Sequence, residues 1–247
     1  MKSTSDATTA EFDQVVGSAK IIDGTKASPY TATTVTVERY IPNGLRSFRD
    51  LGPTVYGAGS IFSNWQENGV YPINYGIYIT GKKGNFTLPS SIFDATTGFD
   101  LTSTGTSTIY TYKSGVWASL DATLGTKGVS LDPFQGMRVL VRGARNYNLN
   151  QQFPTMKSAT TLRATGTLVT GDVTFTTTGT NSVSGATSSY GLTNGSDAYS
   201  LIANPYACPI DWYTIYRHNN SSNNLSSSYL YLDPTFLASG YLSLIHI

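Results

Sequence analysis

Apolar and polar residues alternate along most of this chain in short stretches that are separated by turn residues. The clearest case is 109–120, where a Lys-Ser-Gly turn separates two stretches and Tyr112 is placed to meet Trp117 across them. Period-two alternation is typical of β-strands that bury one face, so this stretch predicts a hairpin. Further strand-like stretches are 34–40, 45–51, 75–80, 137–142, 162–168 and 173–178, with the last two forming a second predicted hairpin.

One stretch, 60–69, has helical rather than alternating spacing. It predicts one or two helical turns that begin at Ser60 or Ser63 and end at Gly69. We expect it to plug one end of the sheets. The apolar residues of its buried face are Ile61, Phe62 and Trp65.

The stretch 199–212 predicts a structural corner. Its first five residues alternate as a buried strand would, and Pro205 and Pro209 then remove two amide donors, so the ladder ends. Asn204 is held extended by the proline after it, and Asp211 is placed to cap a helix that covers one end of the core.

Two further side chains of this corner are predicted to pack inward. Cys208 is the only cysteine, so it cannot form an internal disulfide, and its apolar neighbours favour a buried thiol. Trp212 begins the predicted helix on its buried side.

Strands at short intervals, with one or two short helices, predict an all-β fold, specifically a two-layer antiparallel β-sandwich of the jelly-roll kind. We interpret 1–33 as the leader or tail of an upstream β-rich region, because its apolar content is weak. Residues 34–241 are expected to form the sandwich module, truncated at its C-terminal end. The last six residues, 242–247, match the translation of a sequencing-library adapter, so we expect an adapter-encoded artefact on a gene fragment.

Composition excludes two classes of partner. Charged residues make up 13% of the chain and the formal net charge is +1, without a basic stripe, so a nucleic-acid partner is not expected. Nowhere do about 18 apolar residues run together, so membrane insertion is not expected either.

Charged residues on the predicted strands suggest an ion-pair lattice on one sheet face. Glu38 lies beside Arg39 in the first strand, and we expect it to pair with at least one arginine of another strand. The candidates are Arg46, Arg49, Arg142 and Arg163. Glycoside hydrolysis by Glu38 and Glu67 is a distant alternative.

The sequence gives little support for a catalytic site or a metal site. A Ser-His-Asp triad would need His218, which lies where a helix is expected to end, so no catalytic residue is predicted. One cysteine cannot supply a usual zinc site. We therefore expect no cofactor, with calcium left open because five aspartates lie in predicted loops. They are Asp94, Asp100, Asp132, Asp211 and Asp233.

Aromatic residues, at 12% of the chain, are the stronger signal for binding. Exposed Tyr and Trp rings stack on sugar rings, so a carbohydrate-binding module is an alternative function. The residues expected to carry it are Tyr71, Tyr75, Tyr78, Tyr206, Trp212 and Tyr213.

Short motifs recur in a fixed order along the chain. They are VERYIP at 37–42, the stretch 60–69, YGIYITG at 75–81, GFD at 98–100, VLVRG at 139–143, TLRATG at 161–166, NPY at 204–206 and PID at 209–211. In this order they resemble a module of large surface proteins of Bacteroidota, over about residues 35–235.

That resemblance implies secretion by the type IX system and a place at the cell surface or outside the cell. It also implies a non-catalytic structural or adhesive role, with polysaccharide or another surface protein as partner. Two positions depart from the pattern: 142–145 lacks an acidic residue after the glycine, and 43–45 replaces a more basic stretch.

Overall fold

The structure is a computed structural model. It describes residues 34–44, 46–86, 92–113, 115–149, 156, 158–177, 181–183, 186–188, 190–193, 199–223, 225–231 and 243–246. The predicted upstream segment 1–33 and Asp233 lie outside the described residues.

The elements are mostly strands. They are β1 (Val35–Ile41), β2 (Ser47–Leu51), β3 (Val55–Tyr56), β4 (Thr80–Lys83), β5 (Asp100–Thr102), β6 (Ile109–Lys113), β7 (Val116–Ser119), β8 (Met137–Val141), β9 (Thr160–Leu168), β10 (Val173–Thr174), β11 (Asn181–Val183), β12 (Ala186–Ser188), β13 (Ser228–Tyr231) and β14 (Ser243–His246). The helices are α1 (Gly125–Gly128) and α2 (Trp212–Asn223), with a 3-10 turn at Glu67–Gly69.

Two antiparallel sheets form the body of the fold. One has the order β1-β9-β3 and the other the order β2-β8-β6-β7. The largest hydrophobic cluster contains buried residues of both sheets, including Leu162 and Ala164 from β9 and Val139 and Val141 from β8. The all-β, sandwich-like fold is therefore confirmed. Smaller sheets are added by β10-β11-β12, β13-β14 and the parallel pair β4-β5.

Local patterns predicted several strands correctly, among them β1, β2, β8 and the hairpin β6–β7. The hairpin β6–β7 pairs Tyr112 with Trp117, whose ring centroids lie 5.0 Å apart, and Gly115 at the bend has φ 82°, which favours glycine. In β8 the burial alternates along the strand, with Met137 and Val139 buried and Arg138 between them partly exposed.

The stretch 60–69 forms a series of turns rather than an α-helix. Ser60 accepts a hydrogen bond at Oγ from the amide of Ser63, as predicted for a cap, and the predicted apolar face is buried. The amides of Ile61 and Phe62 donate to carbonyls at 129 and 126. The amides of Gln66 and Asn68 donate five and six residues back, to the carbonyls of Ile61 and Phe62, so the i→i−4 ladder of an α-helix does not form.

The alternation at 75–80 was misleading, because the segment is buried on both sides. Ile77 and Ile79 belong to the main hydrophobic cluster, whereas Tyr78 belongs to a second cluster with Phe86 and Leu149. Residues 76–79 form no ladder, and the strand β4 begins only at Thr80. The segment 76–79 therefore packs between two hydrophobic clusters and does not pair as a strand in a sheet.

The second predicted hairpin, which would pair 162–168 with 173–178, is wrong. β10 pairs with β11 instead of returning along β9, and the Ser- and Thr-rich stretch after it contributes β11 and β12. β9 is already flanked by β1 and β3, so neither of its edges is available to β10.

The corner at 199–212 is partly as predicted. Its strand is reduced to a single bridge between Ile202 and Gln135, and Tyr199 is 62% exposed instead of buried. Asn204 makes the turn through both side-chain atoms: Nδ2 donates to the carbonyl of Cys208 at 2.7 Å and Oδ1 accepts from the amide of Tyr206 at 3.0 Å. Cys208 is only partly buried, since this turn holds it beside the exposed Pro209.

The helix α2 begins as predicted. The amide of Tyr213 donates to Oδ1 of Asp211 at 3.0 Å, which identifies Asp211 as its cap. Trp212 packs on Tyr229 of β13, with ring centroids 5.5 Å apart, and its Nε1 donates to the carbonyl of Ser226. Among the described residues no helix is long and apolar enough to cross a membrane.

Substitution of Ile109 tests the shared core of the two sheets. Ile109 is fully buried in the main cluster, so Ile109→Ala is expected to lower the free energy of unfolding by about 2–5 kcal/mol. Val116 on the neighbouring strand is 63% exposed, and Val116→Ala should change it by less than about 0.5 kcal/mol. Urea unfolding measures both, and equal effects would contradict the assigned core.

Candidate functional site

A buried ion pair lies at the centre of the charged residues. Arg145 and Asp100 are both 0% exposed, and two nitrogen–oxygen contacts of 2.8 Å join them. Arg145 also donates from Nη1 to the carbonyl of Ile77 at 2.9 Å and from Nε to the carbonyl of Val70 at 3.1 Å. The guanidinium therefore ties the end of the 60–69 turns to the segment that follows them.

The carboxylate of Asp100 has two further partners. Its Oδ2 accepts from the amide of Ile79 at 2.7 Å and from Nε2 of Gln66 at 2.7 Å. Burial raises the pKa of Asp100, and the positive charge of Arg145 acts in the opposite direction. With a bidentate guanidinium and two more donors, the cost of burying this carboxylate is met by specific hydrogen bonds.

Tyr78 completes this network and is buried. Arg145 lies over the ring of Tyr78, 4.7 Å from the centroid. The Tyr78 hydroxyl lies 2.6 Å from the carbonyl oxygen of Arg145 and 2.8 Å from that of Tyr147, and these two acceptors share its one proton. The side chain is 1% exposed, so the expectation of an exposed tyrosine here is wrong. Burial raises the pKa of Tyr78 well above its ordinary value. We call Arg145, Asp100, Gln66 and Tyr78 the buried network.

A polar surface pocket adjoins the buried network. Gly76 lies between the two and in contact with both. A Cβ added at this position would lie 2.7 Å from Cγ of Glu67 and 3.1 Å from Cδ of Arg145. The pocket has a volume of about 220 Å³. It is lined by Thr36, Ser63, Asn64, Glu67, Arg163 and Thr165, and we call it the Glu67 pocket.

The charged part of the pocket is a bidentate ion pair. Nε of Arg163 donates to Oε1 of Glu67 at 3.0 Å, and a second bond joins Nη2 to Oε2. The hydrogen bond to Glu67 raises the pKa of Arg163 further above its ordinary value. The guanidinium also stacks on Tyr75, 4.0 Å from the ring centroid, which fixes its plane.

Glu67 is held in an uncommon backbone conformation. Its φ is 51°, that of Asn68 is 57° and that of Gly69 is 78°, so three successive residues lie in the left-handed region. For residues other than glycine this costs on the order of 1 kcal/mol or more, and such strain is concentrated at functional sites. Hydrogen bonds from the amides of Glu67 and Asn68 to the carbonyls of Asn64 and Phe62 maintain it.

The remaining wall of the pocket consists of neutral polar groups. The hydroxyls of Thr36 and Thr165 lie 2.7 Å apart and share a hydrogen bond. Asn64 is buried and fixed, since Nδ2 donates to the carbonyl of Ala58 at 2.6 Å and Oδ1 accepts from the amide of Thr165 at 3.0 Å. The pocket is thus pre-formed.

The expected ion-pair lattice takes a different form. Glu38 lies opposite Arg163 in the register of β1 and β9, and its charge also raises the pKa of Arg163, but Glu67 makes the close contact. Arg138, absent from the expected set, pairs with Asp50 through two 2.9 Å bonds and stacks on Trp117.

The other arginines expected in the lattice are spread over the surface. Arg39 and Arg46 are exposed, and Arg49 is partly buried in β2. Burial lowers the pKa of Arg142, and the charge of Arg46 acts in the same direction. Of the four arginines expected to pair with Glu38, Arg163 lies opposite it in the register of β1 and β9.

The six aromatic candidates do not form an exposed platform. Tyr213 alone among them is exposed, at 45%, while Tyr71 and Tyr75 are partly buried. Tyr206 uses its hydroxyl to bind the carbonyl of Gly171 at 2.7 Å. Trp212 packs on Tyr229 of β13 as described above.

The aspartates considered for calcium serve other contacts. Asp94 accepts from the amide and hydroxyl of Thr97 and pairs with Lys82, and these contacts, with the Thr97 hydroxyl first, lower the pKa of Asp94 to about 2. Asp132 accepts from the amide of Phe134. In the described part of the chain, no three His, Cys, Asp or Glu side chains lie close enough together to hold a metal ion.

In the part of the chain that the structure describes, His218 makes its hydrogen-bond contact within its own helix. Its Nδ1 lies 3.2 Å from the carbonyl of Thr214, one turn earlier in α2. The surface pocket beside it, with a volume of about 240 Å³, is lined by Tyr213, Thr214, Arg217 and His218, all from one helix.

Comparison of the chain with models of protein families, with curated proteins and with solved structures found no match. The geometry of the described residues is therefore the main basis for a functional proposal.

Sequence reasoning missed the buried network and the pocket. Asp100 was considered only as a loop aspartate and Arg145 only as part of a motif departure. A usable signal was present: Asp100 lies between Phe99 and Leu101, and a charged residue flanked by apolar ones in a chain this poor in charge favours a buried pair.

Breaking the buried ion pair is expected to be severe. Asp100→Asn removes the charge that compensates Arg145 and should lower the free energy of unfolding by about 3–5 kcal/mol. Asp50→Asn, which breaks the partly exposed pair with Arg138, is the matched control and should cost about 1 kcal/mol or less. Chemical denaturation measures both, and similar losses would contradict a central role for the buried pair.

Proposed function

We propose that this chain is a non-catalytic module of a large secreted or cell-surface protein, with a structural or adhesive role. The observation that supports it best is that charged side chains are committed to internal contacts. Asp100 is bound by Arg145, Glu67 by Arg163 and Asp50 by Arg138. Carboxylates held in this way stabilise the fold and are poorly placed to exchange protons with a substrate.

A location outside the cell is supported by the motif resemblance to surface modules of Bacteroidota, and type IX secretion is proposed on that ground alone. The low charge agrees with it, because solubility then depends on neutral Ser, Thr, Asn and Gly residues. The partner proposed for an adhesive role is a polysaccharide or another surface protein.

Carbohydrate binding is the second candidate, and one observation favours it. The Glu67 pocket places hydroxyl, amide and charged groups around one pre-formed depression, as sugar recognition requires. The expected Tyr and Trp platform is not the proposed site, because Tyr75 and Tyr206 are engaged internally.

Glycoside hydrolysis remains the distant alternative. Glu38 and Glu67 are both near Arg163, yet only Glu67 lines the pocket. A hydrolase needs two carboxylates that face the same substrate bond, one as acid and one as base or nucleophile.

An attachment assay tests the proposal with the full chain. Beads coated with the folded protein are expected to attach several-fold more than albumin-coated beads to insoluble polysaccharide or to bacterial cell envelopes under gentle flow. The same preparation should show no turnover of a panel of chromogenic glycosides.

Two results would count against the proposal. Attachment no better than that of albumin on every surface would reject an adhesive role, and low resistance to unfolding in single-molecule pulling would then reject a structural one. Glycoside turnover that Glu67→Gln abolishes, with the fold retained by circular dichroism, would show an enzyme instead.

A further inference from the structure

We propose that the Glu67 pocket binds the hydroxyl groups of a neutral sugar residue. This inference deepens the proposed function, on whose adhesive role it rests, because it names a ligand class and a place of binding.

The backbone and its neighbours fix the position of Glu67 at the pocket. Its side chain is 11% exposed and its backbone lies in the left-handed region, followed by Asn68 in the same region. Gly76 leaves no space for a side chain beneath it, with Cγ of Glu67 at 2.7 Å from an added Cβ. The carboxylate is therefore held at the pocket by a conformation that the chain would avoid without support.

Arg163 and Glu67 place hydrogen-bond donors beside acceptors in the pocket. The side chain of Arg163 is 34% exposed, and two of its N–H groups bind Glu67. A guanidinium has more donors than these, and each carboxylate oxygen can accept a second hydrogen bond. A donor and an acceptor side by side complement two neighbouring sugar hydroxyls, because each hydroxyl both donates and accepts.

Charge gives an ionic ligand little advantage in this pocket. Glu67 and Arg163 offset each other, so an anion or a cation beside the pair would meet one opposite and one like charge. The hydroxyls of Thr36, Ser63 and Thr165 add neutral polar contacts. A volume of about 220 Å³ suits one small ring.

The test is a titration followed by backbone amide NMR of the full chain. The probes are methyl β-glucoside, methyl β-galactoside and methyl α-mannoside, with glucuronate as the charged comparator. At least one neutral glycoside should produce saturable shifts at amides 63–67 and 163–165, and glucuronate should bind at least several-fold more weakly.

A double variant, Thr36→Val with Thr165→Val, removes two of the three hydroxyls that line the pocket while the shape is kept. Because both partners of one hydrogen bond are removed together, the fold should be retained. It should weaken glycoside binding about tenfold or more, as expected for lost hydrogen bonds. The matched control is Thr111→Val on β6, which is outside the pocket and should leave the affinity unchanged.

Three results would overturn the inference. The first is that no localised chemical-shift changes occur up to roughly 100 mM glycoside, a concentration at which even a millimolar site saturates. The others are a double variant that binds glycoside as tightly as the parent chain, and glucuronate that binds as tightly as the glycosides. If such a result occurs while coated beads still attach, the adhesive module stands and only this site falls.

Discussion

A salt bridge without access to water, between Arg145 and Asp100, is the contact on which the rest of the structure depends. Isolated charges are expensive to bury, so each needs a full set of partners. The partners here come from the 60–69 turns, the extended segment 76–79 and the strand β5. Of these, the turns and the extended segment have no ladder of their own. The ion pair binds the carbonyl of Ile77 and the amide of Ile79, and it thus adds to the backbone bonds that the amides of Gly76 and Ile77 make to other segments.

The shape of the Glu67 pocket depends on this arrangement. Gly76 lies between Arg145 and Glu67 and allows both side chains to approach the backbone. The 60–69 turns set the backbone of Glu67, and β9 brings Arg163 to it. If loss of the Arg145–Asp100 pair loosened the 60–69 turns, the carboxylate of Glu67 would lose its position at the pocket. Stability and recognition are therefore linked through one segment of the chain.

Sequence patterns predicted what depends on neighbours along the chain. The hairpin at Tyr112 and Trp117, the buried face of β8 and the cap at Asp211 were all predictable, because turn chemistry and alternation act locally. The partner of β10 was not predictable, since any open edge can satisfy a short polar strand. Tyr78 was misjudged because alternation assumes one buried face, and here a second cluster covers the other.

Native-state hydrogen exchange at the amide of Ile79 tests the central role of the buried pair most directly. This amide donates to Asp100, so it should exchange only when the whole module unfolds, with an opening free energy equal to the global value from denaturation. The amide of Trp117, in the edge hairpin, should exchange through local opening at a lower free energy. Exchange of the Ile79 amide as easily as that of Trp117 would contradict the account.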